Sequence, residues 1–156
     1  MSDEQRLKPG VAREYRNDDI VVYWEPKLCI HTGNCIGSLP QVFDPDARPW
    51  VKISAGEADK IAEAVMLCPT GALRFERLDG GPQEASPEET VISERMNGPL
   101  FVRGRIRIMG ASGEVIREAT RAALCRCGHS QNKPFCDLSH RKVEFHTSEL
   151  PTDEER

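Results

Sequence analysis

The sequence predicts an α+β chain of two small modules, and three observations carry that expectation. Over the first half, apolar residues follow a strand, loop, helix, strand order. Over the second half they alternate with arginines, which is β-strand periodicity. Between the halves lies GGPQEASPEET, residues 80–90, rich in Gly, Pro, Ser and Glu and without apolar periodicity; that is linker composition. The expected division is a first module over 11–79, a linker over 80–90, a β-rich second module over 91–146 and a disordered acidic tail over 147–156. The first ten or so residues read as equally loose.

In the first module, Asp19 to Trp24 (DIVVYW) is apolar and β-branched and reads as a strand. Ser54 with Glu57 has the spacing of a capping box, ahead of Ala58, Ile61, Ala62 and Val65. That apolar set is one face of a helix running to about Leu67. Leu73 to Arg77 reads as a short closing strand. In the second module Leu100, Val102, Ile106 and Ile108 alternate with Arg103, Arg105 and Arg107, predicting one apolar and one basic face. Gly110 to Gly113 supplies a turn and Glu114 to Glu118 a partner strand, so a hairpin is expected.

The 156 residues are 38% hydrophobic and 6% aromatic, enough for a core but a small one in each half. At that size metal or disulfide staples become useful, and six cysteines are present. MSDEQRLKPG has no apolar run of a signal peptide, and no stretch approaches the ~18 apolar residues of a spanning helix. A cytoplasmic chain with no membrane association is therefore expected. There thiols stay reduced, and clustered cysteines read as metal ligands before disulfides. Residues 91–146 carry ten Lys and Arg against five Asp and Glu, while the net charge of the chain is −4. The basic module could meet an acidic partner, including the first module itself. Nucleic acid is not expected, because aromatic interleaving is missing.

The densest signal is Cys125, Cys127, Cys136 and His140, spaced C-x-C-x8-C-x3-H. Cys136 and His140 would share a face if a helix starts there, and Asp137 is placed to cap it. Pro134 and Gly128 to Ser130 suit a compact loop. Spacing alone leaves a Cys3His zinc site open, with His129 as a competing donor or, better, a neighbouring exposed residue. The whole run, including Ser130, Pro134, Asp137 and Ser139, resembles the CDGSH iron–sulfur family. The resemblance implies a [2Fe–2S] cluster with Cys125 and Cys127 on one iron and Cys136 and His140 on the other. Leu138 stands where that family has glycine, at a turn whose backbone angles glycine accepts more readily. A neutral imidazole in place of a thiolate raises the cluster potential, and its protonation makes the cluster acid-labile.

Cys29 and Cys35 have five residues between them, and Cys68 follows within CPTGAL. Cys before Pro is the usual last ligand of bacterial cluster runs; Thr32 occupies the place of a missing cysteine. Three ordinary buried thiols are the competing reading. Cys29, Gly33, Cys35, LPQVFDPD and CPTGAL resemble the divergent single-cluster ferredoxin domains and, more distantly, the small ferredoxins that serve bacterial cytochromes P450. The match runs from Asp18 to Glu76. This ferredoxin-like resemblance implies a second cluster on Cys29, Cys35 and Cys68. A [3Fe–4S] cluster needs no more; a [4Fe–4S] cluster needs a fourth ligand, for which His31 is the nearest candidate. Otherwise His31 hydrogen-bonds a cluster sulfur or faces solvent.

No catalytic constellation stands out, so the expectation is an electron carrier rather than an enzyme. Its partner would be a redox protein, a reductase or an oxygenase, met through Arg103 to Arg107, Arg126 and Arg141. A cluster sensor or cluster-transfer protein, and a structural zinc-binding module, are the alternatives. A homodimer is compatible with the CDGSH resemblance.

Overall fold

The computed structural model describes residues 12–147. The expected loose N-terminal stretch and all of the acidic tail beyond Thr147 lie outside the described residues. Two three-stranded antiparallel sheets organise the chain, ordered β1-β2-β3 and β4-β5-β6.

The first sheet comprises β1 (Arg13–Arg16), β2 (Ile20–Trp24) and β3 (Leu73–Arg77). β2 is central, with Ile20, Val21 and Val22 buried, and pairs Ile20 with Arg77 and Trp24 with Leu73. β1 (REYR) carries no apolar alternation, and its place at the edge comes from pairing with β2 rather than from its own pattern. The helix α1 (Asn34–Ser38) and the longer α2 (Ala58–Met66) cover the sheet. Ile61, Ala62, Ala64 and Val65 of α2 face a core with Ile20, Val22, Phe43, Val51 and Leu73. Burial of each such large side chain contributes about 1.5–3 kcal/mol.

The capping box at Ser54 does not form. Ser54 sits in a 3-10 turn (Ile53–Ala55), and α2 is capped at Glu57 with no side-chain hydrogen bond. Gly56 separates the two. Its backbone runs so close to the core that an added Cβ would lie 2.8 Å from Val42 Cγ2. Glu57 therefore enters in extended geometry, and its carbonyl accepts the Ile61 N–H at 3.0 Å.

The second sheet comprises β4 (Val91–Glu94), β5 (Leu100–Met109) and β6 (Val115–Leu124). The expected hairpin is present, with β6 six residues longer at its end and with β4 as an unforeseen third strand. The single basic face is not. A bulge between Arg103 and Ile106 changes the register, so Arg103 opposes Arg121 while Ile106 opposes Ala119 and Arg107 opposes Glu118. An extra residue in a period-2 strand moves everything beyond it to the other face. Arg103 consequently turns toward the first module, donating to the Met66 carbonyl at 3.3 Å, and Arg107 pairs with Glu118 at 3.1 Å on the opposite face.

The two sheets are joined by arginines of β6. Arg121, only 1% exposed, donates through Nη1 to the Val65 and Cys68 carbonyls at 2.7 and 2.8 Å. Through Nη2 it reaches the Leu73 carbonyl at 2.8 Å and Glu84 Oε1 at 2.7 Å. Arg117 pairs with buried Glu25 at 2.7 Å and donates to the Gly71 carbonyl at 3.0 Å. Gly71 has φ +74°, and a Cβ there would come within 2.5 Å of the Arg121 carbonyl oxygen, so only glycine permits this approach. Residues 82–90 form neither helix nor strand. They are nevertheless pinned, because Glu84 also accepts from Thr120 Oγ1 at 2.6 Å and from the Phe75 N–H at 3.3 Å.

At the far end of β3, Arg77 holds Asp59 and Asp79, both at 2.7 Å. The hydrogen bonds from Arg77 bring the Asp79 carboxyl down to about 2. A depressed carboxyl stabilises the fold above its unfolded pKa of about 3.9 and loses that contribution as pH falls toward the folded value. Asp79→Asn is therefore expected to flatten the stability-versus-pH curve between about pH 4 and pH 2. Urea titrations across that range check it; an unchanged slope contradicts the assignment.

Candidate metal centres

The strand β6 ends at Leu124 and delivers Cys125 directly to the second cysteine group. Its backbone meets a returning loop: the Cys125 N–H donates to the Pro134 carbonyl at 2.8 Å and the Cys136 N–H to the Ala123 carbonyl at 2.9 Å. Ser130 is buried and locks the loop by donating to the Phe135 carbonyl at 2.6 Å and accepting from the Asn132 N–H at 3.0 Å. Asp137 ties both ends, accepting from Gln131 N–H at 2.8 Å and Ser139 N–H at 2.9 Å. These bonds explain why Ser and Asp stand at those positions.

The helix beside His140 starts later than expected. The helix α3 (Ser139–Lys142) has Leu138 at its N-cap position, with the Asp137 carboxylate accepting the Ser139 N–H, and Cys136 lies outside it. Leu138 makes the turn in left-handed geometry, φ +72° and ψ +7°, at a cost of about 1–2 kcal/mol for a side chain with a Cβ. That turn carries His140 back over Cys136. His140 Nδ1 lies 3.5 Å from Cys136 Sγ, and Cys125 Sγ lies 3.8 Å from Cys127 Sγ. All four predicted residues line one hollow together with Pro99 and Ser130. They stand as two pairs; among the described residues no three His, Cys, Asp or Glu side chains gather around one ion position.

Backbone donors surround the sulfurs. Leu138 N–H points at Cys136 Sγ at 3.4 Å and His129 N–H at Cys127 Sγ at 3.4 Å. Burial opposes ionisation of Cys125, but the N–H groups of Ser130, Gly128 and His129 and the Cys127 thiol outweigh it and lower its pKa. Burial raises that of Cys136. Burial, then the Arg141 and Arg95 cations, lower the His140 pKa against the pull of Asp137, so the imidazole is held neutral. A neutral ring keeps a nitrogen lone pair for a metal. His129 is exposed, with Nδ1 2.9 Å from the Cys127 carbonyl oxygen rather than with the four.

In the first group, Cys29 follows a 3-10 turn (Pro26–Leu28). His31 and Gly33 both take positive φ, 57° and 78°, and turn the chain into α1, which carries Cys35. Cys68 sits just past α2, its N–H on the Val65 carbonyl at 3.1 Å. Cys29, His31, Gly33, Ile36, Cys68 and Thr70 line a cavity of about 90 Å³. Cys35 is not among its lining residues, yet its thiol feels both others: burial, then the Cys68 and Cys29 sulfurs, push it up to about 11. His31 Nδ1 lies 3.6 Å from Cys29 Sγ.

Two further groups here escape sequence reasoning. Thr70 Oγ1 lies 3.4 Å from Cys68 Sγ. The Trp24 indole N–H is buried without a hydrogen-bond partner, yet it lies close enough to Cys29 to count against the rise that burial causes in that thiol's pKa. An aromatic at a strand end reads simply as core, so only the fold reveals this donor. Two thiols lining a cavity, with the third close enough to feel both, suit an anionic, sulfur-rich group. The donor sets at both places fit iron–sulfur groups.

Comparison with known proteins agrees with both resemblances. Residues 15–77 match the family model described as a divergent 4Fe-4S mono-cluster. Residues 97–141 match the one described as an iron-binding zinc finger of CDGSH type. The chain is also similar to the uncharacterized protein YjdI of Escherichia coli (strain K12), 29% identical over 72 residues, covering 46% of this chain and 95% of that protein. YjdI of Escherichia coli O157:H7 gives the same identity and coverage. Among the described residues no helix is long and apolar enough to cross a membrane. Cysteine groups, loop hydrogen bonds and both family matches converge: this is an iron–sulfur protein in which a divergent mono-cluster, ferredoxin-like module is followed by a CDGSH-type module.

Proposed function

We propose that the chain is a one-electron carrier with two iron–sulfur sites. Cys125 and Cys127 hold one iron of a [2Fe–2S] cluster, and Cys136 and His140 hold the other. Cys29, Cys35 and Cys68 hold a [3Fe–4S] cluster or, with His31 added, a [4Fe–4S] cluster. The observation that carries the reading is the pairing of donors at 3.8 and 3.5 Å within one hollow. A single zinc ion needs four donors around one centre, whereas two pairs suit two irons. When bound, such groups accept and release single electrons. The chain's own part is to place the sulfurs, give them N–H donors and keep His140 neutral.

The partner in this reading is a redox protein with an acidic face. Support comes from the excess of basic residues in 91–146 and from Arg105 and Arg141, which are exposed. Arg126 is instead used internally, on the Gly98 and Arg95 carbonyls and on Glu94. Electrostatic docking of this kind weakens with salt.

An EPR-monitored redox titration of anaerobically prepared protein tests the reading. Two separate one-electron transitions are expected. Protein that contains iron but takes up no electrons contradicts the carrier role. The half-buried position of Cys125, Cys127 and His140 favours one second reading, delivery of the cluster to an acceptor. Incubation with an apo-ferredoxin distinguishes it, since a carrier keeps its iron.

A further inference from the structure

The two sites share a wall. Cys29 and Cys68 pack against a buried cluster of Leu28, Ala72 and Phe135, joined by Leu124. Phe135 immediately precedes Cys136, and Leu124 immediately precedes Cys125. One residue beyond Cys29, buried Ile30 forms a second cluster with Ala123 and Cys136 itself, with Leu138 packed against it. The Lys27 carbonyl accepts from Asn132 Nδ2 at 3.2 Å, so residues 27–30 run alongside the loop that carries Cys136. The chain thus places two neighbouring apolar clusters between the groups, one against Cys29 and Cys68 and the other against Cys136, with Ile30 next to Cys29 in sequence and packed with Cys136.

Leu138 packs against the second of these clusters. Its backbone angle belongs to glycine, and leucine bears strain there. Its side chain packs on the cluster containing Ile30, while its N–H points at Cys136 Sγ at 3.4 Å. At this strained position the leucine side chain gains packing on the wall between the two sites.

We infer that Ile30 and Leu138, packed on Cys136, form the internal bridge by which one electron passes between the two sites. This rests on the two-site reading above. An external one-electron donor reduces one site; that site then loses the electron and the other gains it, with no bond broken and no proton required. Packed side chains transmit electronic coupling far better than a water-filled gap, and the residues next to the thiolates set how thick the barrier is. The chain then acts as a relay that accepts at one module and delivers from the other, rather than as two independent carriers.

Full-length protein, shown by iron and acid-labile sulfide analysis to be loaded at both sites, tests this in two ways. With both sites in paramagnetic states, the EPR spectrum is expected to show magnetic interaction between them as broadened or split lines. Flash photoreduction with a deazaflavin donor is expected to show reduction of one site followed by a first-order redistribution independent of protein concentration. Ile30→Ala and Leu138→Gly are expected to slow that phase several-fold without altering metal content. Leu138→Gly also relieves the backbone angle, so it keeps the fold where Ile30→Ala weakens it. Non-interacting EPR signals, redistribution whose rate rises with protein concentration, or variants as fast as the parent would overturn the bridge. Protein lacking sulfide at either site would instead overturn the two-site reading beneath it.

Discussion

Replacing Arg121 with methionine is expected to destabilise the fold by about 3–5 kcal/mol, the range for removing one partner from a buried charge network. The chain as a whole has a stability of about 5–15 kcal/mol if it resembles ordinary domains, so the variant approaches the unfolding threshold. The guanidinium satisfies five acceptors at once: the Val65, Cys68 and Leu73 carbonyls, Glu84 and the Thr120 hydroxyl. Methionine fills similar space but leaves three carbonyls and a carboxylate, itself 14% exposed, without that donor. The Cys68 carbonyl is among them, so the end of α2 that sets the first metal centre loosens together with the joint between modules. Arg121→Lys is expected to recover part of the loss, since one ammonium cannot match a planar fork. Denaturant titration gives the magnitude; a loss below about 1 kcal/mol would place this network among the energetically neutral surface pairs.

The second large effect is expected at His140. His140→Cys replaces a neutral ligand with an anionic one, which should lower the potential of the C-terminal cluster by on the order of 100 mV. The same change should slow cluster loss in mild acid. With His140 as an iron ligand, as proposed, a proton would compete with iron for the imidazole; burial, then Arg141 and Arg95, lower its pKa and favour the neutral ring. Protonation is therefore disfavoured until pH falls below the ordinary imidazole value of about 6.5, and cluster retention is lost from there downward. Redox titration and the decay of visible absorbance near pH 5 read both effects. An unchanged potential would remove His140 from the ligand set.

Much of this architecture was legible before the fold. β2, α2, β3 and β5 followed from apolar periodicity, because each buries one face against a single core. The edge strands β1 and β4 were not legible: REYR and VISE are exposed or half-exposed and gain their geometry from a neighbour. The bulge near Gly104 was not anticipated either; its one sequence sign is an isolated glycine inside a strand pattern, where an added Cβ would lie 2.6 Å from Thr90 Oγ1. The two groups of Cys and His were visible in the sequence by their spacing, and the structure brings Cys125, Cys127, Cys136 and His140 to one hollow and Cys29 and Cys68 to another. Their supports were not visible in the sequence. Arg121 reads from sequence as one more cation on a strand, and Trp24 as one more core aromatic. Only tertiary packing shows the first plugging the end of α2 and the second packed beside Cys29. Leu138 was noticed as a departure from glycine, and the structure supplies the angle that glycine would have served and the packing that leucine gains.

The central claim is that thiolates and one imidazole hold sulfide-bridged iron at two places in this chain. Iron and acid-labile sulfide, determined per chain on anaerobically purified protein, test it most directly. Either pairing of clusters predicts about six sulfides, with about five irons for a three-iron first cluster and about six for a four-iron one. Zinc in place of iron, with no labile sulfide at all, would contradict it.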